Sequence, residues 1–158
     1  MTPTEAQTLI EEFMSDTEIQ TIVIETLNYC SWLSAAVAET HGFHDDERAA
    51  IAQLDLSAND TKSPFAGQDL RPWLSTQLLQ AEIARIGEEL GEAIDNIRHG
   101  SPPDDKCPKF PGWHVELGAD VLIRVFDTLG KRGINPGEIF VTKTLANNSR
   151  AYKHGKNS

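Results

Sequence analysis

A regular series of branched apolar residues between positions 83 and 97 constrains the fold of this chain more than any other feature. The series is Ile83, Ile86, Leu90, Ile94 and Ile97. Separations of 3, 4, 4 and 3 residues place these side chains along one face of an α-helix, whereas a strand requires alternation. The helix is expected from Trp73 to about Arg98, because His99-Gly100-Ser101-Pro102-Pro103 follows and ends it.

Similar patterns predict further helices on both sides of this one. They are expected at residues 4–14, 17–40, 113–131 and 136–150, with a short helix from 44–48 to Ala52. Asp16 or Thr17 caps the second of these, and His41-Gly42 ends it. Asn135 and Pro136 provide the cap and first turn of the last. The chain shows no strand pattern and no internal repeat, so it predicts an all-α helical bundle.

Length and composition predict one domain over residues 1–158. Residues 55–72 form a loop or a mobile insert, and residues 100–112 form a second loop with four prolines. No stretch approaches the apolar length of a membrane span, and the N-terminus does not resemble a signal peptide. Cys30 and Cys107 are expected to be reduced thiols, which favours a cytoplasmic location. A single disulfide between them is the alternative.

The charge of the chain is uneven along its length. The formal net charge of −10 argues against stable binding to nucleic acid, which depends on basic side chains. From Lys143 onward the chain carries basic residues and no acid, including the tail 151–158. This basic end is either solvated or folded over an anionic ligand.

Two pairs of acids lie in the predicted helices, and each pair shares one helical face. The first pair is Glu89 and Glu92, and the second is Glu116 and Asp120. Four acids that meet would repel one another, and a hard divalent cation such as Mg²⁺ would relieve the repulsion. Alternatively, the acids are solvated, or Arg124 pairs with Asp120 or Asp127.

Three residues of the last predicted helix also share a face, because they are spaced 4 and 3 apart. They are Lys143, Asn147 and Arg150. Lysine and arginine pair with phosphate oxygens, and asparagine can donate to a phosphate or a sugar hydroxyl. The alternative is an ordinary solvated helix end, where cations favour the helix dipole.

Together these residues resemble the MazG-like family of all-α nucleoside triphosphate pyrophosphohydrolases, in particular its small single-domain phage and bacterial members. The family pattern is Glu-Glu-x-x-Glu, a spacer, Glu-x-x-Asp, and a later Lys, Asn and Arg. This chain matches it with Glu88-Glu89-x-x-Glu92, Glu116 and Asp120, then Lys143, Asn147 and Arg150, over residues 73–156. It departs from the pattern at Glu116 and Asp120, which are four residues apart. Three explanations are open. The extra residue is absorbed as a π-bulge in the helix, the two acids bind the metal directly at the wider spacing, or the site is degraded.

The resemblance implies a function and a set of roles. Glu89, Glu92, Glu116 and Asp120 would hold Mg²⁺, with Mn²⁺ as a substitute, and Glu88 or Glu89 would activate water. Lys143, Asn147 and Arg150 would bind the nucleoside triphosphate. Family members form dimers or tetramers, so a homo-oligomer is expected, with the catalytic helices at about 73–150.

Three other functions remain open at the level of sequence. One is an all-α dUTPase or dCTPase, which shares the metal chemistry. A second is a nucleotide-sensing or protein-binding module without catalysis, and a third is a structural helical oligomer with solvated acids. Trp32, Phe43 and Trp73 are either base-stacking residues or parts of the core.

Overall fold

The computed structural model describes residues 1–148, and most of these are helical. The helices are α1 (Pro3–Ser15), α2 (Thr17–Thr40), α3 (Asp45–Asn59), α4 (Arg71–Arg98), α5 (Gly112–Val115), α6 (Val121–Gly130) and α7 (Pro136–Asn148), with a π-helical turn at Glu116–Asp120 between α5 and α6. Within the described residues the only strand-like pairing is an isolated bridge between Pro103 and Pro111. The all-α prediction is therefore confirmed. None of the helices in residues 1–148 has both the length and the apolar character needed to cross a membrane.

The predicted ends of α2 are confirmed by its capping contacts. Asp16 Oδ1 accepts hydrogen bonds from the backbone N–H groups of Glu18 and Ile19, at 2.8 and 3.1 Å. At the other end, Gly42 has a φ of +73°, a conformation that glycine adopts without strain. Local sequence signals therefore determine where this helix begins and ends.

The prediction for α3 was too short. The helix continues to Asn59 instead of ending at Ala52, so the expected insert 55–72 is reduced to residues 60–70. Alanine and leucine at alternate positions beyond Ala52 favour the helix despite the polar residues between them. An ion pair between Arg71 and Asp55, 3.0 Å from Nε to Oδ1, joins the end of α3 to the start of α4.

Two glycines allow the later helices to approach α2 closely. A Cβ on Gly130 would lie 2.4 Å from the Ser31 carbonyl oxygen, and one on Gly137 would lie 2.3 Å from that of Ile24. The Gly137 N–H donates to Asn28 Oδ1 at 2.9 Å in a buried position. α6 and α7 therefore pack against α2 with their backbones almost in contact.

The helices pack mainly in the order α7, α2, α6, α4, so α6 lies between α2 and α4. α4 buries Glu89 and Ala93, whereas four members of its apolar series are 43–57% exposed. These four are Ile83, Leu90, Ile94 and Ile97. The apolar series of α4 therefore does not form the core of a single copy of the chain.

Candidate functional site

Three of the four predicted metal ligands come together between α4 and the π-helical turn. Glu89, Glu92 and Glu116 each place one carboxylate oxygen within 4.8 Å of the other two. Glu89 is buried, with 7% of its surface exposed, while Glu92 is exposed and Glu116 is half-buried. We refer to these three residues together with Asp120 as the acid cluster.

Contacts at the start of α5 fix the position of the acid cluster. Asn96, one turn after Glu92 on α4, accepts a hydrogen bond from the Trp113 N–H through Oδ1 at 3.0 Å. A Cβ on Gly112 would lie only 2.2 Å from Asn96 Nδ2, so a larger residue there would displace the Asn96 side chain. The segment that leads to Glu116 is therefore held against the same face of α4 as the first pair of acids.

The π-helical turn begins at Glu116 and ends at Asp120, where the family pattern has one residue fewer. The Val121 N–H donates to the Glu116 carbonyl oxygen, five residues back. Gly118 lies inside the turn, and a Cβ there would meet no atom within 4 Å. The four-residue spacing of Glu116 and Asp120 thus coincides with a π-helical turn, a feature that is frequent at functional sites.

The acid cluster is short of positive charge. Burial, the charge of Asp120 and contact with Glu89 raise the pKa of Glu116 to about 7. Glu116 Oε2 is buried and has no hydrogen-bond partner within the described residues. Burial and the charge of Glu89 also raise the pKa of Asp120, although Lys106 and Arg124 oppose this.

Arg124 contacts Glu89, which corrects the expectation that it pairs with Asp120 or Asp127. Its Nε and Nη2 both lie against Glu89 Oε1. Asp127 instead contacts the buried His44, with 3.1 Å between Oδ1 and Nε2. His44 also contacts Glu39 through Nδ1 at 3.0 Å, so it joins α2 to α6.

A groove of about 800 Å³ extends from the acid cluster. Its walls are α2, with Leu33 and Val37, and α4, with Leu78 and Arg85. Its floor is formed by Asp120, at the end of the π-helical turn, and by Ile123, Arg124 and Asp127 of α6. Ligand pockets commonly have this size and this mixture of apolar walls with a few polar groups.

A second, more open cavity of about 640 Å³ lies on the other side of the acid cluster. Glu88, Glu92 and Glu116 line it, whereas Glu89 and Asp120 line the groove. The acid cluster therefore lies between two cavities that are each accessible to solvent.

Two of the predicted phosphate-binding residues, Lys143 and Asn147, are not brought to the cluster within the described part of one chain. Lys143 and Asn147 are exposed on α7, which packs mainly against α2, and they line neither cavity. Arg150 lies outside the described residues. Of the predicted stacking residues, Phe43 lines the groove, while Trp32 and Trp73 are exposed and line neither cavity.

Sequence reasoning missed Lys106 and Lys131. Lys106 follows a proline pair in the loop between α4 and α5, and its charge acts on Asp120. Lys131 lies in the groove and is held by Glu47 at 2.7 Å and Glu82 at 2.5 Å. The two carboxylates are far from Lys131 in sequence, so no spacing rule would have paired them.

Comparison with known proteins gives no further guide to function. No family model, no curated protein and no solved structure matches this chain. The resemblance to the MazG-like family therefore depends on the residue pattern alone.

Proposed function

We propose that this protein hydrolyses a nucleoside triphosphate, either an NTP or a dNTP, to the monophosphate and pyrophosphate in a Mg²⁺-dependent reaction. The observation that carries the proposal is that Glu116 Oε2, in a cluster of acids, has no hydrogen-bond partner among the residues that the structure describes. The residue pattern of the MazG-like family supplies the choice of reaction.

The donor set fits a hard divalent cation. Glu89, Glu92, Glu116 and Asp120 offer only carboxylate oxygens, which Mg²⁺ prefers and which Mn²⁺ also accepts. A cation here would neutralise the charges that raise the pKa of Glu116. When bound, Mg²⁺ withdraws charge from phosphate oxygens and makes a bound water more acidic.

The two cavities suggest separate roles for the residues around the acid cluster. Glu88 is exposed in the open cavity beside Glu92 and Glu116, where its carboxylate could orient a water and accept its proton. The groove offers apolar walls for the nucleoside, with Phe43 at its edge. Water would thus approach from one side of the cluster and the nucleoside would lie on the other.

A second copy of the chain would complete the site. The exposed series Ile83, Leu90, Ile94 and Ile97 has separations of 7, 4 and 3, the spacing of a helix–helix seam. Among the aliphatic and aromatic residues of the described part of the protomer, only Ala38, Ala93 and Val141 are buried. We therefore propose a homodimer or homotetramer, in which another copy contributes Lys143, Asn147 and Arg150 to the binding of the phosphates.

Pyrophosphate release from a panel of the common NTPs and dNTPs, with Mg²⁺ and with EDTA, tests the proposal. Glu89→Gln and Asp120→Asn should each lower turnover by about 100-fold or more, because both remove a charged ligand. Asp55→Asn is the control, since Asp55 pairs with Arg71 outside the cluster.

Absence of release from every nucleotide, or full activity in both cluster variants, would overturn the proposal. Hydrolysis of dUTP or dCTP alone would identify the narrower all-α dUTPase or dCTPase activity.

A further inference from the structure

We propose that Arg124 is an exchangeable counter-cation for the acid cluster. In the metal-free protein it neutralises Glu89, and when a divalent cation binds it leaves Glu89 and turns into the groove. The inference rests on the metal site of the proposed function but concerns a residue to which that function assigns no role.

The contact between Arg124 and Glu89 is unusually placed for a structural ion pair. Both Nε and Nη2 of Arg124 lie against one oxygen, Oε1 of a carboxylate that is only 7% exposed. The Arg124 side chain itself is 44% exposed and lines the groove. One partner is therefore fixed in the cluster, and the other has room to move.

A divalent cation and this guanidinium would compete for the same carboxylate. Mg²⁺ binds carboxylate oxygens at about 2.0–2.1 Å, so a guanidinium that remained on the same oxygen would lie close to a like charge. Arg124 is already at the floor of the groove, so it can leave Glu89 and still face a triphosphate there. Arginine recognises phosphate oxygens through two parallel hydrogen bonds.

Arg124 alone does not satisfy the cluster. With Arg124 on Glu89, Glu116 Oε2 is still without a partner within residues 1–148. Among these residues, Arg124 is the basic side chain that forms a direct ion pair with the cluster. The guanidinium of Arg124 thus supplies one positive charge to four carboxylates, whereas a divalent cation would supply two.

Calorimetric titration of Mn²⁺ into the full-length protein, without nucleotide, tests the exchange. Arg124→Gln removes the competitor, so we expect Mn²⁺ to bind about fivefold more tightly, the factor expected from one partly exposed ion pair. The same variant should melt at a lower temperature in EDTA and should be stabilised more by Mn²⁺ than the wild type. Arg71→Gln is the control, because it breaks an arginine–carboxylate pair away from the cluster. Its Mn²⁺ affinity should not change.

Arginine Nε–H resonances give a second measurement on the wild-type protein, with Arg124→Lys used to assign the Arg124 signal. On addition of Mg²⁺ this signal should move toward the position of a solvated guanidinium, while that of Arg71 stays fixed. Two results would overturn the exchange without contradicting the metal site. One is a Mn²⁺ affinity that is unchanged or weaker in Arg124→Gln. The other is an Arg124 signal that stays fixed while the Glu89 and Glu116 amide signals shift. Absence of Mn²⁺ binding to the wild type would instead overturn the proposed function.

Discussion

Glu116 and Asp120 are the first and last residues of one π-helical turn, and both belong to the acid cluster. The sequence left three explanations for their four-residue spacing, and the observed π-helical turn agrees with the π-bulge. A π-bulge adds one residue to a single turn and leaves the helical register on either side intact. The four-residue spacing is therefore a feature of this one turn and leaves the helices around it regular.

Deletion of Gly118 should convert this turn to regular α-helix and leave the protein folded. Gly118 is exposed and its Cα faces open space, so no contact is lost. We expect a cooperative thermal transition within a few degrees of the wild type, followed by circular dichroism. Deletion of Gly91 is the control, because Gly91 has similar open space but lies in regular α-helix. That deletion rotates Glu92 and all later residues of α4 by about 100° and should be strongly destabilising. Equal damage from both deletions would contradict the bulge.

Two other glycines should respond to alanine in opposite directions. Gly87 lies inside α4, and a methyl group added there would meet no atom within 4 Å, so Gly87→Ala should stabilise the protein by about 1 kcal/mol through helix propensity. Gly137→Ala should destabilise it by roughly 1–3 kcal/mol, because the methyl would meet the Ile24 backbone of α2. Urea unfolding of both variants measures the difference. A stabilising Gly137→Ala would show that α7 does not approach α2 as closely as described.

The helices could be predicted from sequence because their signals are local. The bounds of α2 and α4 were predicted nearly to the residue from their apolar spacing and, for α2, from the Asp16 cap and Gly42. The one large error was the end of α3, which was placed too early because polar residues follow Ala52. The groove was not predicted, since it depends on α6 separating α2 from α4. Packing order is a property of the whole chain and leaves no spacing pattern.

The approach of Glu89, Glu92 and Glu116 was predicted for the same reason, since each acid pair shares one helix face. The contacts that Arg124 and Asp127 make were not predicted. Glu89 and Arg124 are 35 residues apart, and His44 and Asp127 are 83 apart. Arg124 lies four residues from Asp120 and three from Asp127, so local spacing favoured the wrong partners. Only the relative position of α4 and α6 decides the contact.

The raised pKa of Glu116 predicts how stability and metal binding depend on pH. Between its ordinary value of 4.5 and about 7, the folded protein holds a proton on Glu116 that the unfolded chain releases. In EDTA, this residue should therefore make the protein less stable as pH rises from 4.5 to 7, with no further change above that. Glu116→Gln should remove this part of the dependence in thermal unfolding measured across the range.

Metal binding should show the opposite trend with pH. Because a cation must displace the proton on Glu116, Mn²⁺ affinity should increase from pH 5.5 to about 7 and then level off. Calorimetry at pH 6 in buffers of different ionisation enthalpy should detect the released proton. Mn²⁺ affinity that does not change over this range would contradict a role for Glu116 as a ligand.

A charge placed among the exposed apolar residues of α4, the seam formed by Ile83, Leu90, Ile94 and Ile97, should separate the subunits of the proposed oligomer. Ile94 is 53% exposed and lies in the middle of the seam, and in a symmetric dimer the same residue is changed on both sides of the interface. Ile94→Lys should therefore yield a monomer by sedimentation equilibrium, and it should lose pyrophosphate release because Lys143 and Asn147 of another copy no longer reach the cluster. Leu9→Lys is the matched control, since Leu9 is 56% exposed on α1, away from the seam. A wild-type monomer, or an Ile94→Lys variant with the mass and activity of the wild type, would show that α4 meets no second copy.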